Sequence, residues 1–169
     1  MCDVCEDDDK WTTPPGTPER RAEVAAAMED RILSQGHQVM CIFPVDDDEG
    51  HYFWYTVGRS LMGQPELLLT GPLPNNVAGH IVNEAVRMVD EEGFDLKDGA
   101  EFPPNTLLNG FSMRVIECDP RAGEMFAALD MGGDTMRAFQ LIWPDDAGHF
   151  PDDPAFDTRF NQPLFPKES

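Results

Sequence analysis

Residues 38–57 read QVMCIFPVDDDEGHYFWYTV. The first eight, 38–45, form an apolar, β-branched and aromatic run with no polar alternation, which suits a strand covered on both faces. Asp46-Asp47-Asp48-Glu49-Gly50 is a turn, because four acids and a glycine resist burial and glycine accepts the conformations a reversal needs. Tyr52 to Val57 is again aromatic-rich and strand-favouring. A connection this short cannot hold the crossover that parallel neighbours require, so the two strands pair as an antiparallel hairpin. That rules out a regular βαβ alternation at the start of the chain.

Working outward, a helix precedes the hairpin. Thr17 is its N-cap, Pro18 supplies a preset φ at the first helical position, and Glu19 suits the positive end of the helix dipole. Val24, Met28 and Ile32, with Ala25 and Leu33 beside them, predict one buried stripe, and Gly36 closes the helix. A third strand is expected at 67–70. A second helix follows from about Val77 to Glu91, capped by Asn75 or Asn76 and ended by Gly93. Further strands are expected at 111–118 and 138–143. Between them Asp119-Pro120 opens a third helix that Gly132-Gly133 ends. The order α-β-β-β-α-β-α-β predicts a single α+β domain over residues 17–165, with a mainly antiparallel sheet of about five strands and helices packed on it. Residues 1–16 are expected to be a mobile leader and 166–169 a short tail.

The 169 residues hold 32 acids against 12 Lys and Arg, a formal charge of −20. Such a surface repels phosphate backbones, so nucleic acid bound through its phosphates is excluded as a partner class, as is an anionic membrane surface. No apolar run approaches the roughly 18 residues of a membrane-spanning helix. The acidic start MCDVCEDDDK has no apolar signal-peptide core, which points to the cytoplasm and to reduced thiols. The acidity first of all keeps a chain soluble; it also suits a basic protein partner.

Familiar catalytic signatures are missing: no phosphate-binding G-x-x-x-x-G-K-[ST], no G-x-G-x-x-G, no H-E-x-x-H and no G-x-S-x-G occurs. Cys2-x-x-Cys5 has the spacing of two ligands on one tetrahedral zinc, or of a dithiol. The chain holds no second such pair, so the remaining ligands would come from His37, His51 or His149, while Cys41 reads as a core residue. The neighbouring carboxylates raise thiol pKa values and disfavour redox use. The pair therefore reads first as part of an inert leader, with zinc as the alternative.

The densest constellation lies in two places. One is Tyr55-Thr56-Val57-Gly58 followed by Gln64-Pro65-Glu66-Leu67. The other runs Gln140-Leu141-Ile142-Trp143-Pro144-Asp145, then Gly148-His149-Phe150-Pro151, then Gln162-Pro163. With the Cys-x-x-Cys leader, these segments resemble the bacterial and phage family called domain of unknown function 4262, over roughly residues 1–165. The departures are Arg59 where that family tends to have Leu, Gln35-Gly36-His37 for its usual His-Gly-Trp, and Asp152 for a second Trp. The resemblance implies the fold and leaves the activity open.

Read as structure, Tyr55 and Trp143 are core aromatics, Gln140 satisfies buried backbone, and Pro144-Asp145 ends a strand. Read as function, the two segments meet in a cleft with Glu66, Asp145 and His149 as ionisable groups and Tyr55, Gln140 and Trp143 as walls. The absence of a catalytic signature favours a non-catalytic binding or regulatory module. The alternative is a small-molecule enzyme or ligand-binding protein that uses the cleft.

Overall fold

The computed structural model describes residues 12–43 and 52–168. Helix α1 spans Pro18–Gln35, and strands β1 (Gln38–Ile42) and β2 (Tyr52–Val57) form the expected antiparallel hairpin. A 3₁₀ turn at Arg59–Met62 leads into β3 (Glu66–Gly71) and then α2 (Asn75–Asp90). After β4 (Glu101–Phe102) and β5 (Met113–Cys118) come α3 (Phe126–Gly132) and β6 (Ala138–Ile142). The strands make one sheet in the order β1-β2-β3-β6-β5-β4. All neighbours run antiparallel except β3 and β6, which pair in parallel with Glu66 opposite Ala138 and Leu69 opposite Leu141. The fold is α+β, with a six-stranded sheet. No helix among the described residues is long and apolar enough to cross a membrane.

The alternation of side chains along each strand divides the core. One face carries Trp54, Leu67, Leu69, Phe139 and Leu141, and α2 covers it with Ala78, Ile81, Val82 and Ala85. Ile81 and Val82 are almost wholly buried, worth about 1.5–3 kcal/mol apiece. The opposite face carries Tyr55, Val57, Leu68 and Ala138 and packs against Ile32 of α1 and Met125 and Ala128 of α3. Phe165, from the chain that follows the last strand, stacks on Phe53 with 5.9 Å between ring centres.

Several local expectations change. The stripe on α1 is only partly covered: Ile32 is buried, Val24 and Met28 are half-buried, and Ala25 and Leu33 are exposed. This helix lies over the outer strands, where the sheet offers little to cover it. Asn75 does not cap α2; its Oδ1 accepts the indole N–H of Trp54 at 2.8 Å, and Pro74 takes the cap position. The third helix does not open at Asp119-Pro120. Asp119 does accept the Arg121 amide at 2.9 Å, but only turns follow. Glu124 has φ +55, which breaks the helical path, so α3 starts at Phe126. Gly123 lies so close to Leu68 that a Cβ there would sit 2.8 Å from its Cδ2, and the chain enters the core at this point. Residues 44 and 45 of the first expected strand, and the whole of the acidic turn, lie outside the described residues, as does most of the leader.

Candidate functional site

Glu66 opens β3 and is fully buried. One of its oxygens accepts the Thr56 hydroxyl at 2.5 Å; the other accepts the backbone N–H of Gly58 at 3.0 Å and of Ser60 at 2.9 Å. Thr56 in turn accepts the Leu67 amide at 2.9 Å. The carboxylate thus organises the turn between β2 and β3, and backbone donors satisfy it where it is buried. Next to it Arg59, one of the departures from the family pattern, is 1% exposed. Its guanidinium makes a two-pronged contact with Asp90 at 2.8 and 2.9 Å, and its Nε donates to the Pro65 carbonyl. This ties the same turn to the last residue of α2.

A second group sits further along the parallel pair. Gln140 Nε2 donates to the Pro163 carbonyl at 2.6 Å and to the Thr70 hydroxyl at 3.2 Å, and its Oε1 accepts the Phe165 amide at 3.0 Å. Thr70 also donates to Pro163. Gln162 reciprocates: its side chain donates to the Trp143 carbonyl at 2.7 Å and accepts the Trp143 amide at 3.3 Å. The Trp143 indole N–H goes to the Thr70 carbonyl at 2.8 Å. These amides are a clamp that fastens residues 162–165 across the sheet. Thr70 and Gln162 were not among the expected site residues; the Gln-Pro pair was the available signal for the latter.

The third group follows β6. Asp145 is 2% exposed and accepts the amides of Ala147, His149 and Asp157 at 2.8–2.9 Å, together with Nδ1 of His149 at 3.3 Å. A carboxylate only accepts, so this last bond puts the proton on Nδ1 and leaves Nε2 as the second ring nitrogen. Burial pushes the Asp145 carboxyl up, but the three backbone N–H groups and His149 outweigh it and hold the group down at about 2. His149 is about one-third exposed and borders a concavity of about 290 Å³ with Arg114, Phe150 and Asp152. Arg114 lies over the Phe150 ring at 4.1 Å and pairs with Asp152 at 2.7 Å and Glu101 at 3.3 Å.

The six expected cleft residues are therefore distributed. Glu66 lies beside Ala138 at the start of the parallel pair, whereas Trp143 lies beyond its far end, about 16 Å along the sheet at 3.3 Å per residue, and Asp145 further still. Tyr55 packs on the face that α1 and α3 cover, with its hydroxyl accepting the Ala127 amide at 3.4 Å. Burial, and then the Asp130 charge, push that phenol up. Trp143 packs on the opposite face, with α2. Of the six, only Asp145 and His149 come together at the concavity, while Gln140 and Trp143 belong to the clamp on residues 162–165.

Cys2, Cys5 and His51 lie outside the described residues. Of the other histidines weighed as ligands, His37 bonds Asn83 through Nε2 at 2.9 Å and His149 bonds Asp145. Cys41 and Cys118 are buried, and burial, followed by the charges of Asp119 and Glu117, pushes the Cys118 thiol up to about 12. Among the described residues no group of three or more His, Cys, Asp or Glu side chains is arranged to hold a metal.

No curated protein and no solved structure gives a significant match to the sequence. A family model described as domain of unknown function (DUF4262) matches residues 31–157. That span holds the hairpin, the Glu66 turn and the Asp145 loop, and the chain belongs to this family.

Proposed function

We propose that this chain is a non-catalytic binding module whose acidic surface takes a basic protein partner. The observation that carries the reading is where the polar side chains of the two segments point. Glu66, Gln140, Trp143 and Gln162 commit their polar atoms to the chain's own backbone, and Asp145 does the same for the loop that follows β6. Groups held this way are buried and serve the fold, which leaves the exposed acidic surface, on a chain of charge −20, to select cationic partners. Affinity capture from cell lysate at low and at high salt tests it. The expected result is a set of basic proteins that is lost as salt rises; a set that is indifferent to salt contradicts it.

A second reading has one specific observation in its favour. His149 is oriented by a buried carboxylate beside a concavity that also holds Arg114. This arrangement suits a small anionic ligand or proton transfer through Nε2. Mass spectrometry of natively purified protein tests that reading: a co-purifying ligand lost in His149→Ala supports it, and ligand-free protein counts against it. For Cys2 and Cys5, a zinc site predicts about one zinc per chain by elemental analysis and none after both are changed to serine, whereas equal and negligible zinc in both leaves an inert pair.

A further inference from the structure

The face of the sheet that α1 and α3 cover is not closed between them. Val57, Tyr55 and Leu68 are buried there, but Met28 of α1, Met40 of β1, Phe53 of β2 and Met131 of α3 are only partly covered. Ile42 shares this face, since it pairs with Phe53 as Met40 pairs with Tyr55, and it is exposed.

The two helices border this strip with flanks that are apolar or small except for Glu29. On α3, Ala127 and Met131 are one turn apart, and the Ala127 amide donates to Tyr55, which orients that flank towards the hairpin. On α1, Ala25, Glu29 and Leu33 form the flank beside Met28 and Ile32. It continues through Gly36 to the 3₁₀ turn, where Met62 Cε lies 3.4 Å from the place a Cβ on Gly36 would take. Leu33 is 85% exposed, Leu61 59% and Met62 55%. Single exposed apolar residues need no explanation, but these cluster at one end of a strip rich in methionine, a residue whose flexible, polarisable side chain adapts to varied apolar partners. Glu29 on that flank of α1 and Asp130 beside Met131 on α3 are both exposed, and Asp130 is near enough to Tyr55 for its charge to act on the phenol.

Resting on the reading of the chain as a binding module, we propose that this strip between α1 and α3 is the docking site for a basic amphipathic helix of a partner protein. Charge selects that occupant. A second copy of the chain would bring another −20 against the same acidic lips, and an anionic membrane would be repelled as well. A helix with an apolar face and flanking lysines or arginines meets both features at once. It lays leucine-like side chains on the methionines and sets its cations against Glu29 and Asp130.

The probe is a fluorescein-labelled model peptide with leucines at i, i+3, i+4 and i+7 and lysines elsewhere, followed by fluorescence anisotropy. Two companions carry the same residues in scrambled order, or glutamate in place of lysine. The expected result is saturable micromolar binding of the amphipathic lysine peptide that weakens with salt, binding of the scrambled peptide at least about tenfold weaker, and none of the glutamate peptide. Leu33→Ser with Met62→Ser leaves the net charge unchanged and alters only exposed positions. It is expected to weaken the amphipathic peptide by about tenfold while the circular dichroism spectrum stays the same. Equal binding of the ordered and scrambled peptides, or no effect of the double substitution, overturns the docking site and leaves the acidic-surface reading standing. If no lysine peptide binds and salt does not alter lysate capture, both readings fall.

Discussion

At the scale of single residues, Asp145 shows how a buried charge is stabilised without a lysine or arginine. Three backbone amides and one imidazole converge on it, and its pKa falls to about 2 from an unfolded value near 3.9. A depressed carboxyl contributes stability that is fully present above the unfolded pKa and is lost as the pH drops through the folded one. Asp145→Asn is therefore expected to melt several degrees below the parent at neutral pH. The gap should narrow between about pH 4 and pH 2, which thermal melts across that range would follow. Gly71 makes a steric case. It has φ +125, and a Cβ there would lie 2.6 Å from Cζ2 of Trp143. Gly71→Ala must displace a buried indole and also adopt a backbone conformation that alanine avoids, at a cost of about 1–3 kcal/mol. For a chain of this size that is a loss of roughly 2–4 °C in melting temperature per kcal/mol, read by calorimetry.

At the scale of elements, the clamp on residues 162–165 makes the chain after β6 part of the fold. Gln140→Leu removes the partner of the Phe165 amide while Thr70 keeps its bond to the Pro163 carbonyl. A lost bond of this kind costs about 1–3 kcal/mol. The expected outcome is faster hydrogen exchange at Phe165 with protection in β3 and β6 largely retained; unchanged exchange at Phe165 would remove the clamp from the account. The same elements show what the sequence made legible. Thr17 and Gly36 bound α1 as expected, because caps are local: the Thr17 hydroxyl accepts the Arg20 amide and the Gly36 N–H goes to Ile32. The hairpin was readable from its acidic turn. Strand β4 was not, since two residues carry no periodicity and its burial rests on the stacking of Phe102 against Phe94. The late start of the third expected helix depends on Glu124 and on the fit of Gly123 against Leu68, both set by tertiary packing.

At the scale of the whole molecule, the candidate cleft was the least legible feature, for a topological reason. Residues as similar in type as Glu66 and Asp145 say nothing about which ends of a parallel pair they occupy, and the pairing of β3 with β6 separates them. Hydrophobic pattern likewise predicted a buried stripe on α1 without revealing that the sheet leaves part of it open, with Leu33 almost fully exposed. The docking proposed for a basic partner on the α1–α3 face, away from His149, rests on that opening together with the charge of −20. The most direct test is a nuclear magnetic resonance titration of isotope-labelled protein with the lysine amphipathic peptide, followed by amide and methionine-methyl shifts. Docking between α1 and α3 predicts shifts concentrated at Met28, Leu33, Met62, Ala127 and Met131, with Arg114, His149 and Phe150 unmoved. Shifts centred on the His149 loop, or spread evenly over acidic surface far from both helices, would contradict it.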